Sequence, residues 1–251
     1  MKAAFRKALI FTLILLPVAA VGAYFSALYQ MDILGEEMMA EVLSQLGSVG
    51  AFIAVYVVQI VVYMLGMGFG GYLLAEKVGL MKPFRIEKRV LPKTLPLCVL
   101  VGVLLSLDYW TFGAWIPGVR EATDSTLNFR VVMASVVYGG VVEEVMMRLF
   151  FMSLFAFLGW KIFFRKQEKA PVGVIIAANV LAAVLFAAGH LPATTLLFGE
   201  ITPLLLFRCF LFNGSFGLFF GWMYRKYGFQ YAILGHMLAH IVSKLIWFLF
   251  V

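Results

Sequence analysis

Charge is scarce in this chain. Asp, Glu, Lys and Arg make up 13% of its 251 residues, about half the roughly 25% of a soluble domain. Mean hydropathy is +0.98, which excludes a water-soluble globule. Cysteine is nearly missing: Cys98 and Cys209 both fall in apolar runs, so a disulfide framework is excluded and both read as small buried apolar groups. Long polar stretches are missing too. The longest cover 31–47, 76–94 and 117–130, each too short for a core of its own, so no soluble domain is expected. No internal repeat is visible, which argues against an inverted-repeat transporter. Histidine occurs only at His190, His236 and His240.

What is present is apolar length. Hydrophobic residues make up 63% of the chain. About seven runs, 8–29, 48–75, 95–115, 131–159, 172–198, 203–224 and 229–251, reach the ~20 residues that a bilayer crossing needs. The expected fold is therefore all-α, a polytopic transmembrane bundle of about seven to eight spans. Residues 1–130 form its N-terminal helices and 131–251 its core. Basic residues collect in alternate loops: Lys2, Arg6 and Lys7; six between Lys77 and Lys93; four between Lys161 and Lys169; then Arg225 and Lys226. The other side holds only Arg120 and Arg130. Lys and Arg mark the cytoplasmic side, so the N-terminus is expected there, and basic-loop topology favours cytoplasmic access for a substrate. The first run reads as a retained anchor rather than a cleaved signal, because it continues to Tyr29, past the ~7–15 residues of a signal core. The net charge of +7 is mainly a topology signal. Short loops without a recognition motif give no support to nucleic-acid binding, and the partner this charge pattern implies is membrane lipid. If the source is prokaryotic, the location is the plasma (inner) membrane.

Against this background Glu143-Glu144-Val145-Met146-Met147-Arg148 stands out. Each ionised group at a helix centre costs about 2.5–3.5 kcal/mol on insertion scales, so an intramembrane acid pair marks a functional site. Glu144 and Arg148 are i,i+4 neighbours in the favourable order and are expected to pair. Glu143 lies about 100° round the helix, which leaves it as the carboxylate for a cavity. Gly139 and Gly140 allow another helix to approach beside it. His190 precedes Pro192, whose missing N–H should kink or end the helix there. His236 and His240, one turn apart, share a helix face. With a carboxylate they suit Zn²⁺, or they can donate hydrogen bonds to an oxyanion. Met237 stands where a zincin motif has Glu, which weakens the metal reading.

Other features have structural readings. Gly66 and Gly70, like Gly217 and Gly221, are expected to form small-xxx-small packing faces rather than a nucleotide loop. Arg208 and Lys244 snorkel or pair internally, and Asn179 and Asn213 make interhelical hydrogen bonds. The segment between Lys77 and Lys93 either lies on the membrane surface or is a topogenic loop.

In order, Glu143-Glu144-x-x-x-Arg148, Phe186-x-x-x-His190 and His236-x-x-x-His240 resemble the CPBP family of intramembrane proteases, which includes the type II CAAX prenyl endopeptidases. The resemblance covers 131–251. It implies a metal-independent glutamate peptidase in which Glu143 and His190 activate water, His236 and His240 stabilise the oxyanion, and Glu144 and Arg148 orient and tune the site. The partner it implies beside lipid is a membrane-associated peptide or protein. No cofactor is implied, although zinc stays open, and prenylation of the substrate is one option within the family. The chain departs from the pattern at His240, commonly Asn or Asp, and at Leu149, often Gly. Three other readings stand beside it: a zinc-dependent membrane peptidase, a non-catalytic scaffold or bacteriocin-immunity factor, and a proton-coupled transporter. Depth poses a difficulty. Counted from the cytoplasmic ends, His190 lies about 18 residues into its run and His236 about 7, a mismatch on the order of 15 Å unless helices tilt, break or start outside the bilayer.

Overall fold

The computed structural model describes residues 2–251, and among them it contains helices and loops but no strand. Helix α1 spans Lys2–Leu46, α2 Val49–Val78, α3 Leu91–Ser106 and α4 Pro117–Thr126. Helix α5 is continuous over 129–163. Then come α6 over Val172–Phe198, α7 over Pro203–Tyr227 and α8 over Phe229–Phe250. Five of these, α1, α2, α6, α7 and α8, are long and apolar enough to cross a bilayer by length and composition, and α3 is a shorter apolar helix. Apolar exteriors such as those of Ile14, Val58, Ile176 and Phe248 suit lipid contact. In lipid a helix satisfies its own backbone groups, which is why this composition resolves into helices.

Several boundaries differ from the apolar runs. Helix α1 continues well past Tyr29, and Gly35, at φ 73 and ψ 171, breaks its path. The third helix ends at Ser106, followed by turns and a short 3₁₀ segment. The segment after α2 is irregular rather than a surface helix. It folds under the start of α8: Gln230 Nε2 donates to the carbonyls of Pro83 and Arg85 at 3.2 and 2.8 Å, and the Glu87 amide donates to the Tyr231 hydroxyl at 2.7 Å. Arg89, hydrogen-bonded to Glu87, lowers that carboxyl's pKa. Helix α8 therefore begins above a structured loop, and its His236 ring lies 6.2 Å from that of Phe186, one turn before His190, so the two motifs meet at one level.

Helix α5 is the hub, packed by α1, α2, α6, α7 and α8. Much of it is wound as π-helix, over Ala134–Glu143 and Val145–Met152, a form that concentrates at functional sites. Close approach relies on glycine, since helices in lipid associate through packing rather than the hydrophobic effect. A Cβ at Gly140 would collide with Met237 of α8. One at Gly71 would lie 3.0 Å from the Leu149 backbone of α5. In this stretch of α2 the tight contacts are at Gly68, against Thr12 of α1, and at Gly71, against α5; Gly66 has open space and Gly70 ordinary contact, so the pair expected at 66 and 70 is not the close-packing face. Gly217 and Gly221 do pack tightly, against Ala183 and Asn179.

Candidate active site

Proline at position 192 is tolerated in the first turn of a helix but not within one. The structure follows this: a helix runs Val172–Gly189, His190 occupies the break, and a second helix runs Leu191–Phe198 with Pro192 in its first turn. His190 is thereby held at a bend. A backbone carbonyl only accepts, so the 2.8 Å contact of His190 Nδ1 with the Phe186 carbonyl fixes the proton on Nδ1. Nε2 is then the ring's free acceptor.

On α5 the adjacent acids part company. Glu144 is fully buried, and its Oε1 accepts from His236 Nδ1 at 2.8 Å. The same oxygen lies 3.1 Å from Arg148 Nη1, an ion pair off the hydrogen-bond axis, since neither Arg148 Nη1 nor Nη2 has a hydrogen-bond partner among the described residues. Aromatic faces complete the arginine's surroundings. Its guanidinium carbon sits 4.5 Å from the Phe186 ring centre and 5.6 Å from that of Phe220. Phe220 also stacks on His236 at 4.7 Å. Glu143, its side chain 23% exposed, points elsewhere, and its Oε2 is 4.0 Å from His236 Nε2.

His236 Nε2 and His240 Nε2 are 3.2 Å apart. With Glu144 ionised, His236 carries its proton on Nδ1. The Nε2–Nε2 contact then requires His240 to donate, leaving His240 Nδ1 as a lone pair, and that atom is buried without a partner among the described residues. Gly139 makes room for both rings: a Cβ there would lie 3.3 Å from His236 Nε2 and 3.6 Å from His240 Nε2.

Glu143, His190, His236 and His240 line one cavity of about 450 Å³. Glu144 and Arg148 stand behind its wall. All six residues marked in the sequence thus belong to one locality, four in the cavity and two supporting it. Tyr138, Asn213, Lys244 and an Asp108–Arg208 pair line the cavity as well. Arg208 donates from Nε to Asp108 Oδ1 at 2.8 Å and from Nη2 to Oδ2. Sequence reasoning expected Arg208 to pair or snorkel but did not name its acid. The available signal was Asp108 itself, a lone carboxylate inside an apolar run. Among the described residues no group of three or more His, Cys, Asp or Glu side chains is placed to hold a metal ion.

Residues 125–242 match the family model described as Type II CAAX prenyl endopeptidase Rce1-like. No curated protein and no solved structure matches the chain. The matched stretch contains Glu143, Glu144, Arg148, His190, His236 and His240, together with α5 to α7 and most of α8.

Proposed function

From the match of residues 125–242 to the Type II CAAX prenyl endopeptidase Rce1-like family model we propose an intramembrane endopeptidase whose general base is Glu143. The observation that carries the reading is the division of labour between adjacent acids. Glu144 is committed to Arg148 and His236, whereas Glu143 faces the cavity beside the histidines.

The chemistry follows from the hydrogen-bond pattern. A water held between Glu143 and the acceptor Nε2 of His190 loses a proton to Glu143 as its oxygen attacks the scissile carbonyl carbon. The carbonyl oxygen becomes an oxyanion, and the Nε2–H of His240 turns from His236 to donate to it, stabilising the developing charge. The C–N bond then breaks and the leaving amine takes the proton from Glu143. Products are a new carboxylate and a new amine, and no metal takes part. Glu144 fixes the His236 tautomer and ring position and so acts through it. The substrate is a membrane-associated peptide or protein, and a prenylated tail is one member of that class.

One observation favours a second reading. Two imidazoles on a tetrahedral zinc at about 2.0–2.1 Å bring their nitrogens to roughly 3.3 Å, close to the 3.2 Å seen between His236 and His240. Chelation followed by zinc restoration separates the two: persistent activity in metal-free protein rules zinc catalysis out.

The deciding experiment compares peptide termini by mass spectrometry in membranes carrying wild-type protein or equally abundant, folded Glu143→Gln protein. New termini present only with wild type are expected. Identical termini at good peptide coverage would count against catalysis and favour a binding scaffold.

A further inference from the structure

The position of the cavity along the bundle carries information that the peptidase chemistry does not use. Successive long helices run in opposite directions, so the two ends of the bundle can be followed around it. Wall residues come from the second half of α1 (Ser26), the first half of α2 (Tyr56), the turn after α3 (Asp108), the end of α6 (Thr194), the start of α7 (Arg208) and the second half of α8 (Lys244). Each of these stretches lies toward the same end of the bundle, as does the short helix α4. Nothing in 57–104, 144–185 or 221–235 contributes to the wall.

The opposite end carries the basic loops, with fifteen of the 20 Lys and Arg residues, and it is closed below the site. The Glu144–Arg148 pair, Leu149, Phe220, Met223 and Tyr224 are almost completely buried there. Beneath them the loop after α2 is tied to α8 through Gln230 and Tyr231. Glu143 is about 14 residues from the start of α5 and about 20 from the helix's basic-loop end, so it lies nearer the end away from the basic loops. Basic loops mark the cytoplasmic side.

We propose that the cavity opens to the non-cytoplasmic face and that its substrate is a peptide segment displayed on that face, by an exported or membrane-anchored protein. This reverses the access that loop charge alone favours. A tail confined to the cytoplasm would have to pass the buried Glu144–Arg148 floor to reach Glu143. The opening rests on charge and geometry alone; its use for a peptide rests on the peptidase reading.

The test uses a membrane-impermeant cationic thiol reagent on full-length protein in a Cys98→Ala/Cys209→Ala background. One probe, Ser135→Cys, sits in the cavity wall; the control, Lys88→Cys, sits exposed in a basic loop. In intact cells Ser135→Cys is expected to be labelled to completion, while Lys88→Cys reacts only after permeabilisation. Labelling of Ser135→Cys only from the side that exposes Lys88→Cys, or from neither side, overturns the proposal. In the second arm a peptide that wild-type protein cleaves in detergent is supplied to either side of sealed vesicles. Glu143-dependent cleavage only from the face opposite Lys88 supports the proposal, and cleavage only from the Lys88 face overturns it. Outside labelling with no cleavage of any peptide, even in detergent, supports the opening and counts against the peptidase reading, so the two ideas can fail separately.

Discussion

Replacing Glu144 by glutamine preserves size and leaves an amide oxygen for His236 Nδ1, so the perturbation is almost purely one of charge. What it strands is Arg148, 2% exposed, whose neighbouring carboxylate oxygen is 3.1 Å away. Removing one partner of a buried pair typically costs about 3–5 kcal/mol. The faces of Phe186 and Phe220 on the guanidinium soften this, since a desolvated cation–π contact is worth about 2 kcal/mol, so the low end, near 3 kcal/mol, is expected. At about 2–4 °C per kcal/mol for a chain of 150–250 residues, Tm should fall by roughly 6–12 °C. Adding Arg148→Met in the same chain removes the stranded charge and fills its volume. Replacing a whole buried pair with apolar groups is often neutral or stabilising by about 1–4 kcal/mol, so the double variant should recover most of the lost Tm. The assay is thermal unfolding in detergent across the four members of the double-mutant cycle. A double variant no more stable than Glu144→Gln alone would refute the claim that charge compensation, rather than packing around His236, is what Glu144 supplies to stability.

Three further outcomes follow from the same geometry. Glu143→Gln should reduce cleavage by about 10²–10⁴-fold, the usual worth of a positioned acid–base group, and leave Tm nearly unchanged, because Glu143 is half-buried and its nearest ionic contact is 4.0 Å away; a Tm loss as large as that of Glu144→Gln would place it in the structural pair instead. His240→Asn should keep most of the activity, since the amide can donate to an oxyanion, while His240→Ala should not; steady-state cleavage of one peptide by both variants checks this. Gly140→Val drives side-chain atoms into Met237, so detergent unfolding should show a loss of about 1–3 kcal/mol or more, the usual cost of overpacking.

Periodicity and polarity made the site legible because an ionised group in an apolar run has few explanations. The Glu144–Arg148 pair follows from i,i+4 spacing, the break at His190 from Pro192, and the shared face of His236 and His240 from one helical turn. Packing direction was less legible. Gly66 and Gly70 match a small-residue pattern, yet the close contacts are at Gly68, against Thr12 of α1, and at Gly71, against Leu149 of α5, and a stretch of π-turn across Met64–Gly68 interrupts the regular i,i+4 register between them. Apolar periodicity carries no signal for such a turn. The depth of α8 was hidden for a similar reason: hydropathy marks where a helix turns apolar, not that the loop after α2 folds beneath it. Asp108 escaped notice because its partner lies 100 residues along the chain at Arg208, and a pair at that separation has no local pattern.

The adjacent glutamates connect chemistry with access. A carboxylate behind a wall can orient a histidine but cannot reach a substrate, and one that faces a cavity can serve as base but leaves its charge uncompensated by Arg148. Neither position alone does both, and successive helix residues point about 100° apart, or about 80° where π-turns place more residues in each revolution. Glu144 therefore faces Arg148 and His236 while Glu143 faces the cavity, with no intervening residue needed. The buried pair is at once the support of His236 and the floor that separates the reacting groups from the basic loops. Removing the charge at the floor strands Arg148 while an amide oxygen still accepts from His236 Nδ1, so the change acts on the stability of the floor and its seal. Glu144→Gln should therefore lower stability, whereas Glu143→Gln should disturb only the chemistry.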